Sequence, residues 1–86
     1  MTYILHFSPR WEKEYRKLDN NLKIRIGEAL MQLTEHPEFG KPLSRNLKGV
    51  MSLRVGKYRI LYEINYQTNE VFLGAIGLRK NIYERF

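Results

Sequence analysis

The sequence predicts an α+β domain in which an antiparallel sheet packs on an N-terminal helical hairpin, in the order β-α-α-β-β-β. Three observations predict it. Apolar residues recur first at every second position, then at helical spacing, then again at every second position. Turn residues and prolines separate these stretches. The 86 residues, without a visible repeat, bound one domain, 1–86, with one small core.

Thr2–Phe7 alternates, with Tyr3, Leu5 and Phe7 on one face, and reads as a strand. Ser8–Pro9 follows as an N-cap and a first-turn proline. Trp11, Tyr15 and Leu18 then stand at i, i+4 and i+7, the stripe of a short amphipathic helix that Asp19–Asn20–Asn21 breaks. Leu22, Ile26, Ala29, Leu30 and Leu33 repeat the helical spacing up to Pro37. Two helices with a short connection form a hairpin whose apolar seam needs cover, and the sheet supplies it.

Residues 38–49 read as a loop pinned by Leu43 and Leu47. Three strands follow, Val50–Val55, Lys57–Asn65 and Glu70–Gly77, the last two joined through Gln67–Thr68–Asn69. In the middle strand Tyr58, Ile60, Tyr62 and Ile64 form the core face. Arg59 therefore points away from the helices, onto a sheet face expected to be open.

Gly56–Lys57 fits a two-residue hairpin turn with Gly at its first central position. Val55 then pairs with Tyr58, and Arg54 faces Arg59. Like charges directly opposite destabilise a sheet. Either an anionic ligand compensates, or the side chains spread into water, or a carboxylate such as Glu63 neutralises one of them. Register also sets Gly77 or Leu78 opposite Arg59, which brings Arg79 to the same end of the sheet. Guanidinium groups bind phosphate bidentately and keep their proton near neutral pH, so the cluster suits a phosphodiester. Tyr83, four residues after Arg79, can return over the same site to stack on a base, bond a phosphate oxygen or take part in proton transfer, or it can simply cap the core.

Charge supports a polyanion. The formal net charge is +6, and residues 1–38 carry as many acidic as basic side chains, so the excess lies in 39–86. From Phe39 to Tyr62 there is no Asp or Glu. Lys41, Arg45, Lys48 and Lys57 in this stretch, with Lys80 beyond it, are candidate nucleic-acid backbone contacts. An acidic protein fits the same footprint; a membrane surface fits poorly, because the basic residues are not on an amphipathic helix.

The chain has no Cys, which excludes disulfides, thiolate nucleophiles and Cys-based zinc sites. His6 and His36 lie far apart, and no metal site or cofactor is expected. His6 reads as a structural histidine and His36 as a helix-dipole partner. Glu12, Glu14, Glu28 and Glu35 read as solvated helix faces. There is no glycine-rich phosphate loop, nucleophile elbow or paired-carboxylate motif. The N-terminus is too short and polar for a signal peptide, and no apolar run reaches membrane-spanning length, so a cytoplasmic protein is expected.

Leu47–Lys48–Gly49, the run Ser52–Leu53–Arg54–Val55–Gly56–Lys57–Tyr58–Arg59–Ile60–Leu61–Tyr62, Gly77–Leu78–Arg79 and Ile82–Tyr83 resemble the RelE/ParE superfamily of toxins from toxin–antitoxin pairs. The resemblance implies the RelE-like microbial ribonuclease fold. In the RelE branch it implies a metal-independent, ribosome-dependent endoribonuclease that cuts mRNA in the decoding site and inhibits translation, with Arg54, Arg59, Arg79 and Tyr83 as catalytic positions. In the ParE branch it implies a DNA gyrase inhibitor without an RNase site. Both imply a cognate antitoxin, RelB-like in the first case, as an acidic or amphipathic segment that folds on binding. An inactive homologue kept for antitoxin binding or autoregulation is a third reading. This chain departs from some RelE relatives in having Ser52 where they carry a lysine, and Ile82 where others carry a histidine.

Overall fold

The computed structural model describes residues 2–43 and 49–79. Its elements are β1 (Ile4–Phe7), α1 (Pro9–Arg16), α2 (Asn20–Glu35), a single 3-10 turn at Pro37–Phe39, β2 (Lys41–Pro42), β3 (Val50–Val55), β4 (Tyr58–Asn65) and β5 (Glu70–Leu78). The five strands form one sheet in the order β1-β5-β4-β3-β2.

Both helices begin where short polar side chains replace missing backbone partners. Ser8 Oγ accepts from the Trp11 amide at 3.0 Å, and Asp19 Oδ1 accepts from the Leu22 amide at 2.8 Å. The Asp19–Asn20–Asn21 break is thus also the start of α2. The helices lie side by side on the sheet, α1 over β5 and α2 over β3. Between them runs a groove of about 440 Å³ lined by Trp11, Tyr15 and Leu30. Lys23 Nζ of α2 lies 5.5 Å from the centre of the Tyr15 ring on α1.

The core fills the space between helices and sheet. Trp11, Ile26 and Leu33 meet Leu53, Val55, Ile60, Tyr62, Val71, Leu73 and Ile76 there, all buried. Tyr58 and Ile64 border the same cluster, so the core face expected for β4 is the one observed.

β3, β4 and β5 form the expected antiparallel meander. The sheet is nevertheless mixed, because β1 joins β5 in parallel, from Ile4 opposite Glu70 to Phe7 opposite Leu73. Alternation identifies a strand's buried face, but neighbour and direction depend on where the chain returns after the helices. The stretch expected to be loop contains β2, which pairs with β3 through Lys41–Ser52 and Pro42–Met51. Two residues are too few for alternation to register, and Pro42 belongs on an edge because it has no N–H to donate.

The outer face is also less open than expected. Val50, Leu61 and Ala75 are buried there against Leu43, with Leu61 at 0% exposure. This small second cluster covers part of the face, and the Arg54–Arg59 pair lies toward the hairpin end of the same face. Glu14 is not a solvated residue either. Its Oε1 accepts from the Ile76 amide at 3.0 Å, on the side of β5 where β1 has already ended.

Candidate functional site

The tight turn between β3 and β4 sets the site. Gly56 has φ +59°, a left-handed value that glycine adopts without steric cost, while among the described residues Lys57 is not in that region. One positive φ at the first central position is the signature of a type II′ turn. Its closing pair is Val55–Tyr58, and the next is Arg54–Arg59. In a two-residue hairpin that second pair does not exchange backbone hydrogen bonds, so its Cα atoms approach to about 4.5 Å. Two guanidinium-bearing residues therefore share one face at the closest approach the sheet allows.

Their surroundings differ. Arg54 is exposed, whereas Arg59 is half-buried and its Nη1 donates to Ser52 Oγ at 3.1 Å. Ser52 is only 3% exposed. Ser52 thus supplies a buried, uncharged acceptor that aims Arg59. Glu63, opposite Val50 and Phe72, is four residues along β4 from Arg59, about 13 Å at strand rise.

A concavity of about 210 Å³ opens over this pair, lined by Phe39, Gly40, Lys41, Ser52, Leu53, Arg54 and Arg59. Lys41 reaches it from β2. Among the described residues, no Asp or Glu lines it. The rim is held by Tyr62, whose hydroxyl donates to the Pro37 carbonyl at 2.7 Å and accepts from the Gly40 amide at 2.9 Å. Burial pushes the Tyr62 phenol above its ordinary pKa, with the Gly40 hydrogen bond acting in the opposite direction. Gly40 is required for a steric reason: a Cβ there would lie 2.6 Å from Tyr62 Oη and 2.8 Å from the Ser52 carbonyl oxygen.

Arg79 lies beyond the last pair of β5, where its amide donates to the Lys57 carbonyl at 2.9 Å. Arg59 stands opposite Gly77, so register sets Arg79 two residues on, at the same end of the outer face. Lys57 sits at the hairpin tip, and its side chain lines a second concavity on the helix side with Arg25, Asp19 and Tyr58. Lys41, Arg54 and Arg59 therefore share one hollow, Arg79 adjoins it by register, and Lys57 faces elsewhere. Arg45, Lys48, Lys80 and Tyr83 lie outside the described residues, as does Leu47.

Sequence reasoning missed Ser52, Phe39, Gly40 and Tyr62 as parts of this site. Ser52 had a usable signal, because alternation sets it on the face of Arg54. The other three become visible only once the 3-10 turn is folded against β4.

The histidines take local partners. His6 Nε2 lies 2.6 Å from Glu70 Oε2, and its ring stacks on Phe72 at 5.0 Å. Hydrogen bonds from Thr68 and then His6 hold the Glu70 carboxyl below its ordinary pKa. His36 ends α2, with Nδ1 3.8 Å from Glu38 Oε1.

Residues 5–83 match the family described as the ParE toxin of the type II toxin–antitoxin system, parDE. The chain belongs to this family. It is a toxin of the RelE/ParE superfamily. Toxin RelG of Mycobacterium tuberculosis is 33% identical, the match covering 99% of this chain and 100% of that protein. The mRNA interferase toxin RelE of Escherichia coli is 28% identical, over 93% of this chain and 86% of that protein. Among solved structures, the RelBE2 toxin–antitoxin complex of Mycobacterium tuberculosis matches with TM-score 0.83 and 31% identity, over 92% of this toxin and 100% of that chain. The intact E. coli RelBE complex matches in fold with TM-score 0.78 and 24% identity, over 88% and 95% of the two chains. Among the described residues of this toxin, no helix is long and apolar enough to cross a membrane.

Proposed function

We propose that this toxin is a ribosome-dependent endoribonuclease that cuts mRNA in the decoding site, acts in the cytoplasm and is held inactive by a RelB-like antitoxin. One observation carries the reading: Arg54 and Arg59 face each other across the hairpin, in a hollow shared with Lys41 and lined by no described carboxylate. A phosphodiester resolves the repulsion by placing negative charge between the two guanidiniums. The name of the E. coli relative, mRNA interferase, supports the same reading.

In this mechanism the ribose 2′-oxygen attacks the adjacent phosphorus, its proton passes to a base, and the 5′-oxygen leaves with a proton. A cyclic phosphate and a free 5′-hydroxyl result. Arg59 and Arg79 bind the non-bridging oxygens as their charge grows, a contribution of about 2–4 kcal/mol per well-placed donor. Arg54 holds the phosphate or assists proton movement, and Tyr83 orients the base or the nucleophile. Lys41, Arg45, Lys48 and Lys80 contact the RNA backbone, and the ribosome supplies the substrate geometry that three arginines alone do not.

The second reading, gyrase inhibition with the basic face as a docking surface, is favoured by the match to the ParE toxin family. One experiment separates them. Purified toxin is incubated with programmed ribosomes carrying a defined mRNA, cuts are mapped by primer extension, and gyrase supercoiling is assayed in parallel. The expected result is decoding-site cuts that Arg59→Ala reduces by about 100- to 1,000-fold. Intact mRNA with blocked supercoiling establishes the other branch.

A further inference from the structure

Phe39 stands at the end of the 3-10 turn with 56% of its surface exposed, although it lines the same hollow as Lys41, Arg54 and Arg59. An aromatic ring left in water beside a cationic cluster has no role in the core of this protein. Its backbone is firmly held: the Phe39 amide donates to the His36 carbonyl at 3.0 Å, and Tyr62 Oη ties Pro37, two residues before it, and Gly40, the residue after it. The ring is therefore presented on a fixed mount and not on a loose loop.

We infer that Phe39 is a stacking platform for one nucleobase of the RNA strand whose phosphate lies on Arg54 and Arg59. This rests on the endoribonuclease reading and adds a base-binding residue to it. A benzene ring offers nothing to a phosphate or carboxylate, so the guanidiniums and Lys41 account for the anion and the ring is left for the flat, apolar part of the same ligand. A single-stranded nucleotide has both parts, joined through the ribose. The concavity of about 210 Å³ admits a base and excludes a helix. Base–aromatic stacking is tolerant of sequence, since every base has a π-face. Phe39 thus contributes affinity and base placement, not codon choice.

The test uses the full chain with Phe39→Ala, Phe39→Leu and Phe39→Trp, and exposure of the side chain leaves the core of each variant unchanged. Two readouts are taken: quenching of 2-aminopurine in a single-stranded RNA oligonucleotide, and the dependence of cleavage rate on the concentration of mRNA-programmed ribosomes. Phe39→Ala and Phe39→Leu are expected to abolish quenching and raise KM by about 5- to 150-fold, with Phe39→Trp retaining both. Leucine performing as well as phenylalanine overturns the assignment, because an apolar peptide side chain would be served equally by either. Wild-type cleavage with unchanged Phe39→Ala kinetics overturns the base site alone. Wild-type protein that neither binds the oligonucleotide nor cuts the mRNA overturns the endoribonuclease reading and the base site with it.

Discussion

Replacing Tyr62 by Phe removes one oxygen atom and two hydrogen bonds. That hydroxyl is the joint between the sheet and the turn that carries Phe39 and Lys41. Tyr62 is 1% exposed and its bonds are short, 2.7 Å to the Pro37 carbonyl and 2.9 Å from the Gly40 amide. Each bond contributes about 1 kcal/mol net, and the Pro37 carbonyl and Gly40 amide left without partners add a desolvation cost. The expected loss is about 2–3 kcal/mol, which for a domain of this size lowers Tm by about 10–20 °C. Alkaline pH supplies a second signature. The folded state holds the phenol neutral beyond its ordinary pKa of 10.0. Below that pH both states keep the proton and nothing changes; above it the unfolded chain releases a proton that the folded chain retains. Stability from Tyr62 is thus lost as pH rises from the unfolded value through the folded one, with a limiting slope of about 1.4 kcal/mol per pH unit. Urea unfolding of both proteins from pH 7 to 11 measures this. A variant destabilised by less than about 0.5 kcal/mol, or one that keeps the wild-type slope above pH 10, refutes the reasoning.

Ser52→Ala removes the acceptor of Arg59 Nη1 while preserving volume, and is expected to lower cleavage about 10-fold with little change in Tm, read by the ribosome assay beside a thermal melt. Glu14→Ala leaves the Ile76 amide without its acceptor at the end of β1 and is expected to cost about 1–3 kcal/mol in urea unfolding. The two glycine-to-alanine changes should have opposite signs in the same assay. Gly56→Ala, at φ +59°, destabilises by about 1–2 kcal/mol. Gly27→Ala, in α2 with nothing within 4 Å of the new Cβ, stabilises by about 0.5–1 kcal/mol.

What the sequence made legible was local. Ser8–Pro9, the helical stripes of Trp11 and Ile26 and the Gly56–Lys57 turn each act through neighbours a few residues away, so their consequences follow without knowing the fold. The Arg54–Arg59 pairing belongs here too, since a two-residue turn leaves no freedom in register. What stayed hidden acts across the chain. Glu14 looks like any helix-surface carboxylate until Ile76 is found 62 residues later with an amide that β1 does not reach. The parallel placement of β1, the short β2 and the second apolar cluster around Leu61 are of the same kind.

The position of Arg79 depends on one further long-range feature. Between Leu61–Ala75 and Tyr62–Leu73 the register slips, leaving Gly74 without a partner on β4. Val71 and Leu73 face the helices before this bulge and Ile76 faces them after it, while Ala75 turns to the outer cluster. Unbroken alternation from Val71 would have sent residues 75, 77 and 79 to the helix side, with Arg79 on the face opposite Arg59. The extra residue reverses the parity and sets Gly77 opposite Arg59 on the outer face. The bulge is tied to the first helix, because Ser8 Oγ donates to the Gly74 carbonyl at 2.9 Å while accepting from the Trp11 amide. A serine that reads in sequence only as an N-cap therefore also anchors the irregularity that brings the third arginine to the other two.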